Sequence, residues 1–260
     1  AEIIHHIQMA SMYGIDVNEN FSVDMKKAVK NKNSVVNQLT QGVGALLKSN
    51  QVHVIDGEAY LESEHEIICD GKKYMADSII LCGGSKVDRV PIPGIEGKNV
   101  LTSDQILDIY ERPKRLVIIG GGVVGCEIAS VFKYYGSEVT IIEAESRILP
   151  RMDEDISRAL TSAFKTEKID VRTGCLVKEI LEKGNISIIR CADGCEITAD
   201  KILLSVGRIS DLSCLGKMKN RIQMEKGKIV VDDFMRTNIP NIYAAGDING
   251  RNMLAHAAFK

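Results

Sequence analysis

Two hydrophobic periods alternate along this chain. Residues 116–119 are an uninterrupted apolar run, the pattern of a strand buried on both faces. Beyond it Val123, Val124, Ile128, Ala129, Val131 and Phe132 recur at helical spacing until Gly136 stops the helix. Residues 139–142 form a second apolar strand, and 153–166 a second helix. Further strands are predicted around Val171 and over 176–181, 186–190 and 202–206. The polar turns Lys183-Gly184-Asn185 and Asp193-Gly194 make an antiparallel meander of the middle pair. Strand, helix, strand, helix, strand, meander, strand is the order of one Rossmann-like α/β unit with a β-excursion.

Upstream the pattern is looser. Residues 1–12 read as the end of a helix, and Ser22 as the N-cap of a long helix reaching about Ser49. Met25, Val29, Val36, Leu39, Val43, Leu46 and Leu47 recur at three- and four-residue steps, the stripe of a helix docked on a sheet. Residues 52–55 read as a strand, Asp70-Gly71 as a hairpin turn between Ile67-Ile68 and Tyr74-Met75, and 78–82 as a buried strand. Pro91, Pro93 and Gly94 mark an irregular crossing, and Thr102-Ser103-Asp104 caps a short helix leading to Pro113. Short strands return after Met218, 241–245 leads into Gly246-Asp247, and a helix begins near Met253. Both ends of the chain read as cut.

Composition changes this picture little. At 260 residues roughly two folding units are expected. A hydrophobic content of 45% and a charged content of 26% are ordinary for a globular protein. A net charge of −2 without a basic run gives no footprint for nucleic acid. No apolar run approaches the 18 residues of a membrane span, and no signal peptide opens the chain. The seven cysteines are scattered among apolar neighbours, as expected of a reducing cytosol. Cys191 and Cys195 are the closest pair, but Asp193-Gly194 between them reads as turn chemistry rather than a metal or redox site. The histidines show no metal spacing, and His5, His6, His53 and His65 read as surface or packing residues.

Candidate chemistry lies between the first Rossmann strand and the second. Gly120, Gly122 and Gly125 have the G-x-G-x-x-G spacing. The first allows a tight turn, the second lets backbone approach a pyrophosphate, and the third lets helix pack on strand. The helix N-terminus, at Val123 and Val124, offers free N–H groups and partial positive charge to phosphates. Glu143 lies 18 residues beyond Gly125, where the fingerprint places an acid for the adenosine ribose hydroxyls. Glu143 and Glu145 repel a 2′-phosphate, which favours NAD over NADP, although Arg147 stands where an arginine can serve that phosphate. The bland alternative is a glycine-rich turn with no ligand.

Several patches together resemble the flavin disulfide oxidoreductases, most closely their dihydrolipoamide dehydrogenase branch. They are Ile79-Ile80-Leu81-Cys82-Gly83-Gly84-Ser85, Pro91-Ile92-Pro93-Gly94-Ile95, the Gly120–Gly125 fingerprint, Arg147-Ile148-Leu149-Pro150, Ser205-Val206-Gly207-Arg208, residues 241–247 and Met253-Leu254-Ala255-His256. The resemblance implies a Rossmann-like NAD-binding domain over 113–234, inserted in a truncated FAD-binding domain of the two-dinucleotide-binding-domain type. The FAD part would comprise 1–112 and a return segment over 235–260. Gly84 and Ser85 then match a turn that closes on FAD, with Cys82-Gly83 where the pattern usually reads Ala-Thr. Ala59 matches a backbone contact to the flavin's adenine, and Asp247 an acceptor for the ribityl chain. Met253, Leu254, Ala255 and His256 match the stretch beside the isoalloxazine ring. Gly207 matches a backbone contact to NAD, and Glu127 the glutamate that meets the nicotinamide. For Asp247 an ordinary turn role stays open, as does helix-dipole stabilisation for Glu127.

The implied activity is dihydrolipoyl dehydrogenation, with electrons passing from protein-bound dihydrolipoamide through a disulfide and FAD to NAD. The disulfide motif and the histidine–glutamate base are expected outside these 260 residues, so no catalytic residue is assigned within the chain, which by itself is expected not to turn over lipoamide. The implied partner is the lipoyl domain of a 2-oxo acid, glycine-cleavage or acetoin dehydrogenase complex. The full-length protein is expected to be a cytoplasmic homodimer. Alternatives are another flavin disulfide reductase such as a mercuric reductase, an NADH oxidase, or a non-catalytic NAD-binding module.

Overall fold

Five parallel strands carry the candidate glycine loop. Their order across the sheet is Val100–Leu101, Lys201–Leu204, Arg115–Ile119, Glu138–Ile142, Asp170–Arg172. The computed structural model describes residues 2–17 and 22–259. The sheet belongs to one of two compact units, formed by Ala1–Val43 with Arg89–Gly207; the other is Gly44–Asp88 with Arg208–Lys260.

The unbroken apolar run of the central strand is explained by what covers its two faces. Leu116 and Ile118 pack with Ile128, Ala129 and Phe132 of the helix Val123–Tyr134. Val117 and Ile119 point the other way, toward Val177, Ile180, Ile189 and Ile197 of the antiparallel meander Val177–Lys183, Ile186–Cys191, Glu196–Ala199. Alternation still operates, but both faces are dry, so every position is apolar. The second helix, Glu154–Thr166, buries Phe164 in the same core as Phe132.

The compact units divide at 43/44, 88/89 and 207/208. The two-residue strand Val100–Leu101 pairs with Lys201–Leu204 and draws the stretch before Pro113 into the parallel sheet. So short a strand inside an irregular crossing leaves no periodic signal. Thr102 caps the helix Ser103–Ile106 in a reciprocal capping box with Gln105, as the sequence implies.

Three upstream expectations are corrected. The long helix runs Met25–Ser49, and Asp24 rather than Ser22 caps it, its Oδ1 accepting from the Lys27 N–H at 3.1 Å. Its apolar stripe is buried only at Met25 and Val29, while Val36, Leu39, Val43 and Leu46 are exposed. Residues 52–55 form no strand: Val52, Val54 and Ile55 are exposed and join no β-ladder.

In the other unit Glu66–Cys69 and Lys72–Met75 form the expected hairpin, with left-handed Asp70 and Gly71 at its turn, and Ala59–Leu61 adds a third strand. Ile79–Leu81 pairs in parallel with Ile242–Ala244. Ile79 and Leu81 are buried with Ile242 and Ala244, but Ile80 is 66% exposed, so this strand is covered on one face only. Ser85–Val87 pairs antiparallel with Arg208–Ser210. Among the described residues no helix is long and apolar enough to cross a membrane.

Candidate dinucleotide site

The loop after the central strand is shaped by sterics. Gly120 has φ +108°, and a Cβ there would sit 2.2 Å from the Ser205 carbonyl oxygen, so only glycine fits. A Cβ on Gly125 would meet the Gly120 carbonyl oxygen at 2.2 Å, which is the close helix-to-strand approach the spacing implies. Gly122 differs: a Cβ there would meet nothing within 4 Å. The loop is therefore open on the flank of Gly122.

Gly122 is the N-cap of the helix Val123–Tyr134 and supplies no side-chain cap. The first helical N–H groups are thus left to an outside acceptor, with the helix dipole favouring an anion. Val123, Val124 and Glu127 are exposed on one face of the first turn. Cys126 faces inward instead. Burial, the largest cause, and the nearby Glu143 and Glu127 carboxylates push its thiol up to about 12, so it stays neutral.

Glu143 ends the strand Glu138–Ile142 and is 8% exposed. Its Oε2 accepts from the Gly121 N–H at 2.6 Å and its Oε1 from the Glu145 N–H at 2.8 Å. The carboxylate is therefore tied directly to the glycine loop. A carboxylate offers about four acceptor positions, so the remaining lone pairs suit sugar hydroxyls. Its backbone is fixed as well, by its N–H to the Arg172 carbonyl at 2.8 Å and by the Cys175 N–H to its own carbonyl at 3.0 Å. Arg147 donates to the Pro150 and Met152 carbonyls at 3.2 and 3.1 Å, which engages part of the guanidinium weighed above for a 2′-phosphate. Gly207 is exposed, beyond the strand Lys201–Leu204 that flanks the loop.

In the second unit the parallel pair Ile79–Leu81 and Ile242–Ala244 brings Gly84, Ser85 and Asp247 together at its C-terminal ends. Ser85 Oγ donates to Asp247 Oδ2 at 2.6 Å, and Arg208 Nε donates to Ser85 Oγ at 2.7 Å. Arg208 Nη2 also reaches the Ser85 carbonyl at 2.7 Å, and Ser210 Oγ donates to the Asp247 carbonyl at 2.9 Å. Sequence reasoning gave no role to Arg208 or Ser210. The signal available was their two-residue alternation just past Gly207, which puts both on one face of a strand. The free acceptor capacity of Asp247 suits a sugar-like hydroxyl.

The other expected contacts are spread out. Ala59 opens the strand Ala59–Leu61 in a different sheet and is exposed. Met253 is half-buried, and Leu254, Ala255 and His256 are exposed at the start of the helix Ala255–Phe259. That helix lies beside the Gly246 turn: a Cβ on Gly246 would sit 3.6 Å from the Ala258 Cβ.

Comparisons with known proteins bear on this geometry. The profile of the pyridine nucleotide-disulphide oxidoreductases matches residues 5–260. A dihydrolipoyl dehydrogenase from Acholeplasma laidlawii is 36% identical over 99% of this chain and 77% of its own length. One from Bacillus subtilis (strain 168) is 35% identical over 100% of this chain and 58% of its own. The HOCl-induced flavoprotein disulfide reductase RclA from Escherichia coli superposes with TM-score 0.85 at 28% identity, over 98% of this chain and 57% of that one. The chain thus spans little more than half the length of several relatives it matches.

Proposed function

The chain belongs to the pyridine nucleotide-disulphide oxidoreductase family, and from that premise we propose that it carries the NAD site and part of the FAD site of a dihydrolipoyl dehydrogenase. The observation that carries the reading is the tie between Glu143 and the Gly121 N–H, which sets a buried carboxylate at the edge of an open, glycine-lined helix N-terminus. Gly120, Gly122 and Gly125 shape that cradle, and the N–H groups of Val123 and Val124 bind phosphate. Glu143 accepts from the adenosine ribose hydroxyls, and its charge opposes a 2′-phosphate. Glu127 meets the nicotinamide, and Gly207 makes a backbone contact to NAD.

The donor set in the second unit fits a flavin. Asp247 takes a ribityl hydroxyl, Gly84 and Ser85 close on the cofactor, and Arg208 holds Ser85 in place through two hydrogen bonds. Ala59 supports the adenine, and Met253, Leu254, Ala255 and His256 lie beside the ring system. FAD, when bound, supplies a two-electron carrier between a dithiol and nicotinamide. The residues of this chain bind and orient; none of them is assigned to bond making. The reducing substrate is protein-bound dihydrolipoamide, presented by the lipoyl domain of a 2-oxo acid, glycine-cleavage or acetoin dehydrogenase complex, and the intact protein is a cytoplasmic homodimer. The domain reading keeps NAD binding within 113–234 and FAD binding in the flanking segments.

Calorimetric titration of the purified chain with NADH and NADPH tests the nucleotide assignment. NADH is expected to bind at least about tenfold more tightly, a difference of about 1.4 kcal/mol. Equal or tighter binding of NADPH contradicts it.

A further inference from the structure

Away from the glycine loop, two buried thiols and a carboxylate converge in the same unit. The ligand atoms of Cys175, Cys191 and Asp193 all lie within 4.8 Å of one another. We propose that this triplet is a binding site for a thiophilic divalent cation of the zinc class, clamping the meander to the segment that follows the strand Asp170–Arg172.

The three residues come from two backbone segments that are already fixed. Cys175 donates its N–H to the Glu143 carbonyl at 3.0 Å, and the Ala192 N–H donates to the Leu176 carbonyl at 2.8 Å. Cys191 is paired with Val177 in the meander, and its N–H reaches the Cys195 carbonyl at 2.9 Å across the turn. The turn is further held by Asp193 Oδ1, which accepts from the Cys195 N–H at 3.0 Å and leaves the second oxygen for a ligand role. Tetrahedral zinc with Zn–S bonds of about 2.3 Å sets its ligands about 3.8 Å apart. A set within 4.8 Å closes on such an ion by a rearrangement of roughly 1 Å, which side-chain rotation at an exposed aspartate supplies. Two sulfurs and one oxygen select a borderline-soft ion over calcium or magnesium, which take oxygen ligands. Three protein ligands leave one tetrahedral position to water. In the sequence Cys191 and Cys195 read as flanking a hairpin turn, with no second pair of ligands in sight. Cys195 is engaged elsewhere, its Sγ accepting from Arg172 Nη1 at 2.9 Å, and the second thiol comes from Cys175, 16 residues upstream of Cys191.

The test is titration of the purified chain, kept reduced with a thiol-free phosphine, with Co²⁺ as a spectroscopic stand-in. One equivalent is expected to bring up thiolate-to-cobalt charge-transfer and tetrahedral d–d bands, and Zn²⁺ is expected to displace them. Cys175→Ser and Cys191→Ser each remove the bands, and Cys82→Ser, on an exposed cysteine of the other unit, leaves them intact. Asp193→Asn, on an exposed turn that tolerates the change, keeps the far-ultraviolet dichroism and weakens Co²⁺ binding at least tenfold. No band in the unaltered chain overturns the proposal, as do bands that survive in Cys191→Ser or an Asp193→Asn chain with unchanged affinity.

Discussion

Alanine at Gly122 and alanine at Gly120 are expected to fail in opposite ways. Gly122 has φ −73° and ψ −177°, an extended conformation that alanine adopts freely, and its Cβ would meet nothing within 4 Å. Folding stability of Gly122→Ala should therefore hold within about 0.5 kcal/mol, or rise by about 0.4–1 kcal/mol as the unfolded chain loses freedom. The added methyl group nevertheless occupies the space where backbone is to approach a diphosphate. Losing one charge-assisted N–H contact there costs about 1.5–3 kcal/mol, a ten- to hundredfold weaker NADH affinity. Gly120→Ala puts a side chain at φ +108°, with strain of about 1–3 kcal/mol, and drives Cβ to 2.2 Å from the Ser205 carbonyl. Relief of that overlap adds roughly 1–3 kcal/mol. Urea denaturation read by far-ultraviolet dichroism, paired with calorimetric NADH titration, separates the two effects. A Gly122→Ala chain that binds NADH within twofold of the parent refutes the cradle, and a fully stable Gly120→Ala chain refutes the steric argument.

Two further outcomes follow from the same geometry. Burial alone would raise the Asp200 carboxyl, but hydrogen bonds from the Arg115 guanidinium at 2.6 Å and backbone N–H at 2.8 Å outweigh it and hold the group below its ordinary value of 3.8. A carboxyl lowered on folding stabilises above the unfolded value and loses that contribution as pH falls through the folded one; Asp200→Asn should cost about 1 kcal/mol or less at pH 7, since both partners are partly exposed, and the difference in urea midpoint should shrink progressively as pH falls below the ordinary value of 3.8. With its thiol pushed up to about 12, Cys126 should resist iodoacetamide in the folded chain at pH 8 while exposed Cys82 is alkylated, as peptide mass spectrometry would report; rapid labelling of Cys126 contradicts the buried placement.

What the sequence revealed and what it hid divide along a physical line. The strand over 116–119, the glycine spacing and the acid at 143 were legible because each is set by local rules, a buried run, a steric requirement and a strand end. The Asp70-Gly71 hairpin was legible for the same reason, since its turn needs left-handed residues. Hidden features depend on partners distant in sequence. Val100–Leu101 is a strand only because Lys201–Leu204 lies beside it, some hundred residues on. Conversely, the run 52–55 has strand composition but gains no ladder partner and stays irregular. The stripe of the helix Met25–Ser49 has core-like spacing, yet only its first two turns are covered. Periodicity reports that a face is apolar and says nothing of what meets it. The Arg208–Ser85–Asp247 chain of hydrogen bonds was likewise out of reach, because it joins residues more than 120 and 160 positions apart.

Everything assigned to the nucleotide rests on the carboxylate of Glu143 facing the same space as the open flank of Gly122. A crystal structure of the chain soaked with NADH measures this directly. The account predicts a ribose hydroxyl of the adenosine half about 2.6–3.2 Å from a Glu143 oxygen, with the diphosphate over Gly122 and the N–H groups that open the helix. Density for the nucleotide elsewhere, or an adenosine ribose with no contact to Glu143, contradicts it.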